Sequence, residues 1–147
     1  MRFEKFLTLI GIVGGGISMA FGGWTTATTT LLIFMCIDYV TGFIVALIFK
    51  NSPKTDTGGL SSKVGYKGLA KKVMILLFLL IGYRLDLTLN TSYIKDGICI
   101  AFIVNELVSI TENATLMGFP TPTIITNAID ILKQRSTKTD DTNIIDN

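Results

Sequence analysis

Apolar runs dominate this chain, and their lengths set the first expectations. Phe6 to Gly23 (FLTLIGIVGGGISMAFGG) carries no charge over eighteen residues, long enough for a helix to cross roughly 30 Å of hydrocarbon. Ala27 to Phe49 opens with threonines, turns strongly apolar and holds Asp38 as its only acid. Val73 to Leu89 is free of charge as far as Tyr83 and then takes in Arg84 and Asp86. Ile94 to Ala114 begins with Lys95 and Asp96, has the apolar core GICIAFIV at 97–104 and runs on into Asn105 and Glu106. Hydropathy therefore favours the first two runs over the third and the third over the fourth. The expected fold is all-α, an integral membrane bundle of three to four transmembrane helices at 6–23, 27–49, 73–89 and 94–114.

Past these runs, Pro120 and Pro122 stop the preceding helix. Thr121 or Thr123 is a suitable cap for the next one, and Ile125, Ala128, Ile129 and Leu132 form an apolar stripe over Thr123 to Gln134. The pattern predicts a short amphipathic helix at 123–134 that docks on the membrane face or on a neighbouring subunit. Residues 1–134 then form one transmembrane domain, and the polar stretch 135–147 is expected to be a disordered tail. The cluster SPKTDTGG at 52–59 is a loop signal.

Composition strengthens the membrane assignment. Charged residues make up 16% of 147, against about 25% in soluble domains, and the mean hydropathy is +0.56. A soluble domain of this size has much surface for its volume and needs charge to cover it. The chain has no histidine, which excludes His-containing zinc sites, Ser–His and Cys–His nucleophile pairs and haem–His ligation. No metal site, cofactor or enzymatic activity is expected. Cys36 and Cys99 both sit in apolar runs and are expected to be buried thiols acting as small hydrophobes.

The net charge of +2 is too small to argue for a nucleic-acid partner, but its distribution is informative. Lys50, Lys54, Lys63, Lys67, Lys71 and Lys72 face a single acid, Asp56, in a stretch that reads as a basic loop. By the positive-inside rule that loop is cytoplasmic. The N-terminus with Arg2 and Lys5 is then also inside, and the turn at Trp24 outside, in a multi-pass membrane protein. A cleavable signal peptide ending at Ser18-Met19-Ala20 is the competing reading of the first run. The three consecutive glycines Gly14, Gly15 and Gly16 make a poor helical h-region, so the run is taken as a retained span.

Polar residues inside the spans are the candidate functional groups. An acid at a helix centre costs about 2.5–3.5 kcal/mol to insert and needs a partner or water. With Lys50 and Lys72 as the cytoplasmic edges, Asp38 and Arg84 each lie about twelve residues, near 18 Å, into antiparallel helices. This depth match predicts an Asp38–Arg84 ion pair, with snorkelling of Arg84 as the alternative. Asp86 belongs to the same intramembrane polar set. On the fourth run Asn105, Ser109 and Glu112 follow i, i+4, i+7, flanked by Glu106 and Asn113. This stripe is expected to line a bundle interior or pore, the alternative being a helix lying flat in the headgroups. Gly11, Gly14, Gly15, Ser18 and Gly22 put small residues on adjoining faces of the first run, a packing surface for other helices and for self-association.

Four segments carry a resemblance. DYVTG (Asp38 to Gly42), SSKVGYKGLAKKV (Ser61 to Val73), NELVSITEN (Asn105 to Asn113) and GFPTP (Gly118 to Pro122) together resemble the toxin-secretion/phage-lysis holin family, in order and spacing, over residues 28–133. The resemblance implies a small phage or prophage protein of the bacterial cytoplasmic membrane that accumulates harmlessly and then assembles as a homo-oligomer. At a set time it forms lesions that release a murein hydrolase (an endolysin) or, in some clostridial members, a large toxin, without catalysis. The positions it carries over are Asp38, Gly42 (a further helix-packing position), Ser61 to Lys72, Glu106, Glu112 and Asn113. Arg84 is not among them. The competing functions are a small ion channel or transporter subunit and an antiholin that restrains another holin.

Overall fold

The computed structural model describes residues 2–141 and is all-helical over them. The helices are α1 (Arg2–Ala20), α2 (Thr26–Ile44), α3 (Ser62–Leu89), α4 (Ile94–Leu116) and α5 (Thr123–Asp141), and a π-helical turn, Val45–Phe49, continues α2. Their ends follow from local chemistry. Thr25 caps α2 by accepting the Thr28 backbone N–H at 3.2 Å through its hydroxyl. Asn90 takes the left-handed conformation at φ 53° and closes α3 by donating its N–H to the Asp86 carbonyl. Gly118, at φ +86°, ends α4 where the Phe119 N–H returns to the Ala114 carbonyl at 2.9 Å.

Three pairs of apolar residues at i, i+4 spacing make the core: Leu31 and Met35 on α2, Ile75 and Leu79 on α3, Cys99 and Ile103 on α4. Each pair occupies one helix face, and the three faces meet. The central element is α4, which packs against α2, α3 and α5. It is the run that hydropathy ranked last. Its buried polar groups, Lys95, Glu106 and Asn113, find partners elsewhere in the fold, so their presence does not keep it out of the interior. Gly82 brings α3 onto α4: a Cβ there would meet Ile98 Cδ1 at 2.6 Å and the Lys95 Cα at 3.2 Å. Gly82→Val is expected to cost about 1–3 kcal/mol through overpacking, read as a lower unfolding midpoint in detergent with secondary structure retained.

In contrast to this packed unit, α1 is exposed from Phe3 to Ala20 except at Ser18, which is half-buried. Two helices are long and apolar enough to cross a membrane, at Phe3–Ala20 and Thr26–Phe49. By the same measure α3 and α4 fall short, because each mixes apolar faces with ionised side chains.

The structure corrects several expectations. The third run does not begin at Val73: α3 starts at Ser62, so Lys63, Lys67, Lys71 and Lys72 lie on a helix and not in a loop. Lysine, leucine and alanine are good helix formers and carry the helix through Gly65 and Gly68, which cost about 1 kcal/mol each. The C-terminal helix extends beyond Gln134 to Asp141, carrying part of the expected tail with it; residues 142–147 of that tail lie outside the described residues. Of the two cysteines only Cys99 is buried, whereas Cys36 is exposed on the face of α2 turned away from the core.

Candidate functional site

Three charged side chains from three helices converge inside the packed unit. Lys72 Nζ of α3 donates to Asp38 Oδ2 of α2 at 2.8 Å and forms a second ion pair with Glu106 Oε2 of α4. The side chains of Lys72 and Asp38 are each 13% exposed and that of Glu106 is 4% exposed. Asn113, one further stretch along α4, donates from Nδ2 to Asp38 Oδ1 at 3.2 Å and to Thr41 Oγ1 at 3.0 Å. Gly42 lies beside this contact, and a Cβ there would stand at an ordinary contact distance, 3.7 Å, from Asn113 Nδ2. Two carboxylates share one ammonium, so the cluster has a net negative charge, offset only by the amide dipole of Asn113 and by whatever lies beside it.

What lies beside it is a cleft of about 420 Å³. The polar cluster forms its floor, together with Asn105 and Ser109 of α4. The end of α2, the 52–61 loop and the first half of α3 make its walls, with Lys54, Lys67 and Lys71 among the lining residues.

The expected Asp38–Arg84 pair does not form. Asp38 is held by Lys72, and Arg84 is exposed. Lys72 is not the edge of its helix, since α3 begins ten residues earlier, at Ser62. Counted from the true helix ends, Asp38 (twelve residues before Lys50) comes level with Lys72, and Arg84 lies about 18 Å further along. The basic segment contains the missing partner itself, a role no hydropathy profile separates from that of its exposed neighbours.

The polar stripe of α4 is rotated from its expected register. Glu106 and Asn113, seven residues apart, are buried and face α2 and α3; Asn105 and Glu112 are exposed, and Ser109 is half-buried. The stripe drawn through Asn105, Ser109 and Glu112 thus runs beside the buried face, and Glu112 does not reach the cleft. Spacing alone does not distinguish the two lines, which differ by one residue, about 100° of rotation.

Asp86 has a different part from the one expected. Its buried carboxylate accepts the Ile94 N–H at 3.0 Å, the Lys95 N–H at 2.9 Å and the Thr91 hydroxyl at 2.7 Å. It therefore caps α4 from the end of α3, satisfying two of the donors that a helix start leaves open. Sequence reasoning passed over Lys95. It is buried, donates from Nζ to the Phe21 carbonyl at 2.9 Å and lies 5.6 Å from the centre of the Tyr83 ring, tying the connection after α1 to α3 and α4. The signal was available, since a lysine inside an apolar run calls for a partner.

Of the small residues on the first run, Gly11, Gly14 and Gly15 have no neighbour within 4 Å of a notional Cβ. Gly22 sits instead in the turn after α1, at φ +72°, against the Tyr83 ring, where a side chain has neither the conformation nor the room. Lys50 occupies a left-handed position at φ 49° at the end of the π-helical turn. Lys63 is exposed and does not line the cleft. Among the described residues no group of three or more Cys, Asp or Glu side chains is arranged to hold a metal ion.

Comparison with known proteins places the sequence in a family. The sequence model of the bacteriophage holin family matches residues 15–134. An uncharacterized protein of Listeria innocua, Lin0175, is 35% identical over 135 residues, which are 90% of this chain and 91% of that protein. An uncharacterized 14.9 kDa protein of Clostridium perfringens is 36% identical, over 85% of this chain and 92% of the relative. A protein of Bacillus phage phi105 named "Probable holin" is 27% identical, over 70% of this chain and 69% of its own length. No solved structure matches.

Proposed function

The chain belongs to the bacteriophage holin family, and from that premise we propose that it oligomerises in the bacterial cytoplasmic membrane and forms timed lesions through which an endolysin or a large toxin leaves the cell. The observation that carries this reading is the charged cluster of Asp38, Lys72 and Glu106, shared among α2, α3 and α4. Such a cluster stabilises a closed packing of helices, because each charge is satisfied inside the molecule. It also marks where the packing is weakest towards water, since separated charges are better solvated in an aqueous lumen than in a dry interface. The helix bundle is then a two-state element, and accumulation of neighbours in the membrane biases it from closed to open. Four spans, with α3 and α4 crossing as a pair whose ionised groups face each other, complete the proposed topology; the N-terminus and the basic segment lie on the cytoplasmic side. The exposed α1 supplies a surface for contacts between copies.

Inducible expression in bacteria with and without a cytoplasmic murein hydrolase tests the proposal. Abrupt lysis only when both are present is the expected result. Leakage of small ions alone would assign the protein to the channel class, and suppression of lysis by a second holin would make it an antiholin. Glu106→Gln, which leaves one carboxylate for one lysine, is expected to shift the onset of lysis without loss of membrane insertion. An unchanged onset would make the cluster purely structural.

A further inference from the structure

The cleft beside the charged cluster has a composition that the lesion-forming role does not explain. Four lysines and two carboxylates are among its lining residues. Lys72 is consumed between Asp38 and Glu106, and among the described residues none of Lys54, Lys67 and Lys71 is held in an ion pair. Three lysines without a carboxylate partner therefore line the cleft, one from the 52–61 loop and two from the first half of α3. Ser61, the cap residue of that 28-residue helix, lines the cleft too and makes no side-chain capping bond, so its hydroxyl is free to serve a ligand. The apolar part of the wall comes from Phe43 of α2 and, on the same face of α3 as Lys67 and Lys71, from Val64 and Ile75. The volume, about 420 Å³, is within the ordinary range for small-molecule sites, roughly 300–1,000 Å³.

We propose that this cleft binds the phosphate headgroup of an anionic phospholipid, with the lysines Lys54, Lys67 and Lys71 on the phosphate and the start of an acyl chain against the apolar wall. A phosphate bound to compact ammonium groups is an ordinary charge-assisted interaction. The apolar wall is what distinguishes a lipid from free phosphate, which has nothing to place there. Bound in this way, the lipid joins the end of α2 to the start of α3 and supplies the negative charge that the lysine-rich rim lacks. The inference goes beyond the lesion-forming role and needs only that the chain lies in a membrane.

The test uses the full-length protein in nanodiscs of phosphatidylcholine doped with phosphatidylglycerol, with retained lipid read by native mass spectrometry after release. The wild type is expected to keep phosphatidylglycerol selectively. A lysine near a membrane surface is worth about 1 kcal/mol towards an anionic lipid, roughly fivefold in affinity, so K67Q/K71Q is expected to weaken retention about twenty- to thirtyfold. K50Q/K63Q removes the same charge from the same segment but outside the cleft, and is expected to leave retention within about twofold of wild type. All four lysines are solvent-exposed, so neither variant disturbs the core, and neither readout depends on lysis. Equal losses in the two double variants would reduce the effect to diffuse surface attraction and overturn the site. Absence of selectivity, or displacement of the lipid by millimolar inorganic phosphate, would overturn it as well.

Discussion

Lys72→Met is expected to be the most damaging single substitution in the protein, lowering stability by about 3–5 kcal/mol. It leaves Asp38 and Glu106 facing one another across the helix interface without the ammonium that both contact. Removing one member of a buried ion cluster costs more than the cluster is worth, because the remaining charges stay desolvated and unpaired. Unfolding by SDS titration in mixed micelles reads the loss directly, alongside the steady-state level of the protein in membranes. The triple variant D38N/K72M/E106Q is expected to recover most of the stability, since no unpaired charge is left and Asn113 retains an amide oxygen to bond. If Lys72→Met unfolded at the wild-type midpoint, the three-helix cluster would contribute nothing to the closed packing. If the triple variant were no better than the single one, the loss would come from packing of the lysine stem and not from charge.

Asp86→Ala is expected to rank second, at about 2–4 kcal/mol. A cap of this kind contributes about 0.5–2 kcal/mol, and hydrogen bonds to a charged group about 1.5–3 kcal/mol each when buried; Asp86 supplies two backbone bonds and one hydroxyl bond from a position that is 6% exposed. The damage is local in origin. Hydrogen exchange at the Ile94 and Lys95 amides should accelerate before that of the core amides of α4. Asp86→Asn keeps one carbonyl oxygen for those donors and is expected to recover about half of the loss. Equal exchange at these amides in wild type and Asp86→Ala would remove the capping role.

The difference between these two acids shows where reasoning from the sequence reached its limit. Asp38 and Asp86 look alike in the sequence, each a lone carboxylate inside or beside an apolar run. One faces a cation on a neighbouring helix; the other turns back onto the start of the next helix eight residues away. Only the chain path after Leu89 decides between these partners, and that path depends on a left-handed Asn90 and a short turn. The same holds for Arg84 and Lys72. Both cations lie on α3, and which one meets Asp38 follows from where that helix begins.

What the sequence by itself determined was the class: an all-helical protein with two strongly apolar helices, no histidine chemistry, a concentrated basic segment and a few ionised groups embedded in apolar runs. These are properties of composition and run length, which survive any arrangement of the helices. Tertiary structure decided the partners. It placed α4 at the centre, turned Glu106 and Asn113 inward in place of Asn105 and Glu112, and drew Lys72 out of the basic segment to lie between two carboxylates. A rotation of about 100° or a shift of a few residues in a helix start is invisible to hydropathy. In a low-dielectric interior the same shift decides which charge is neutralised, and through it which side of each helix is buried.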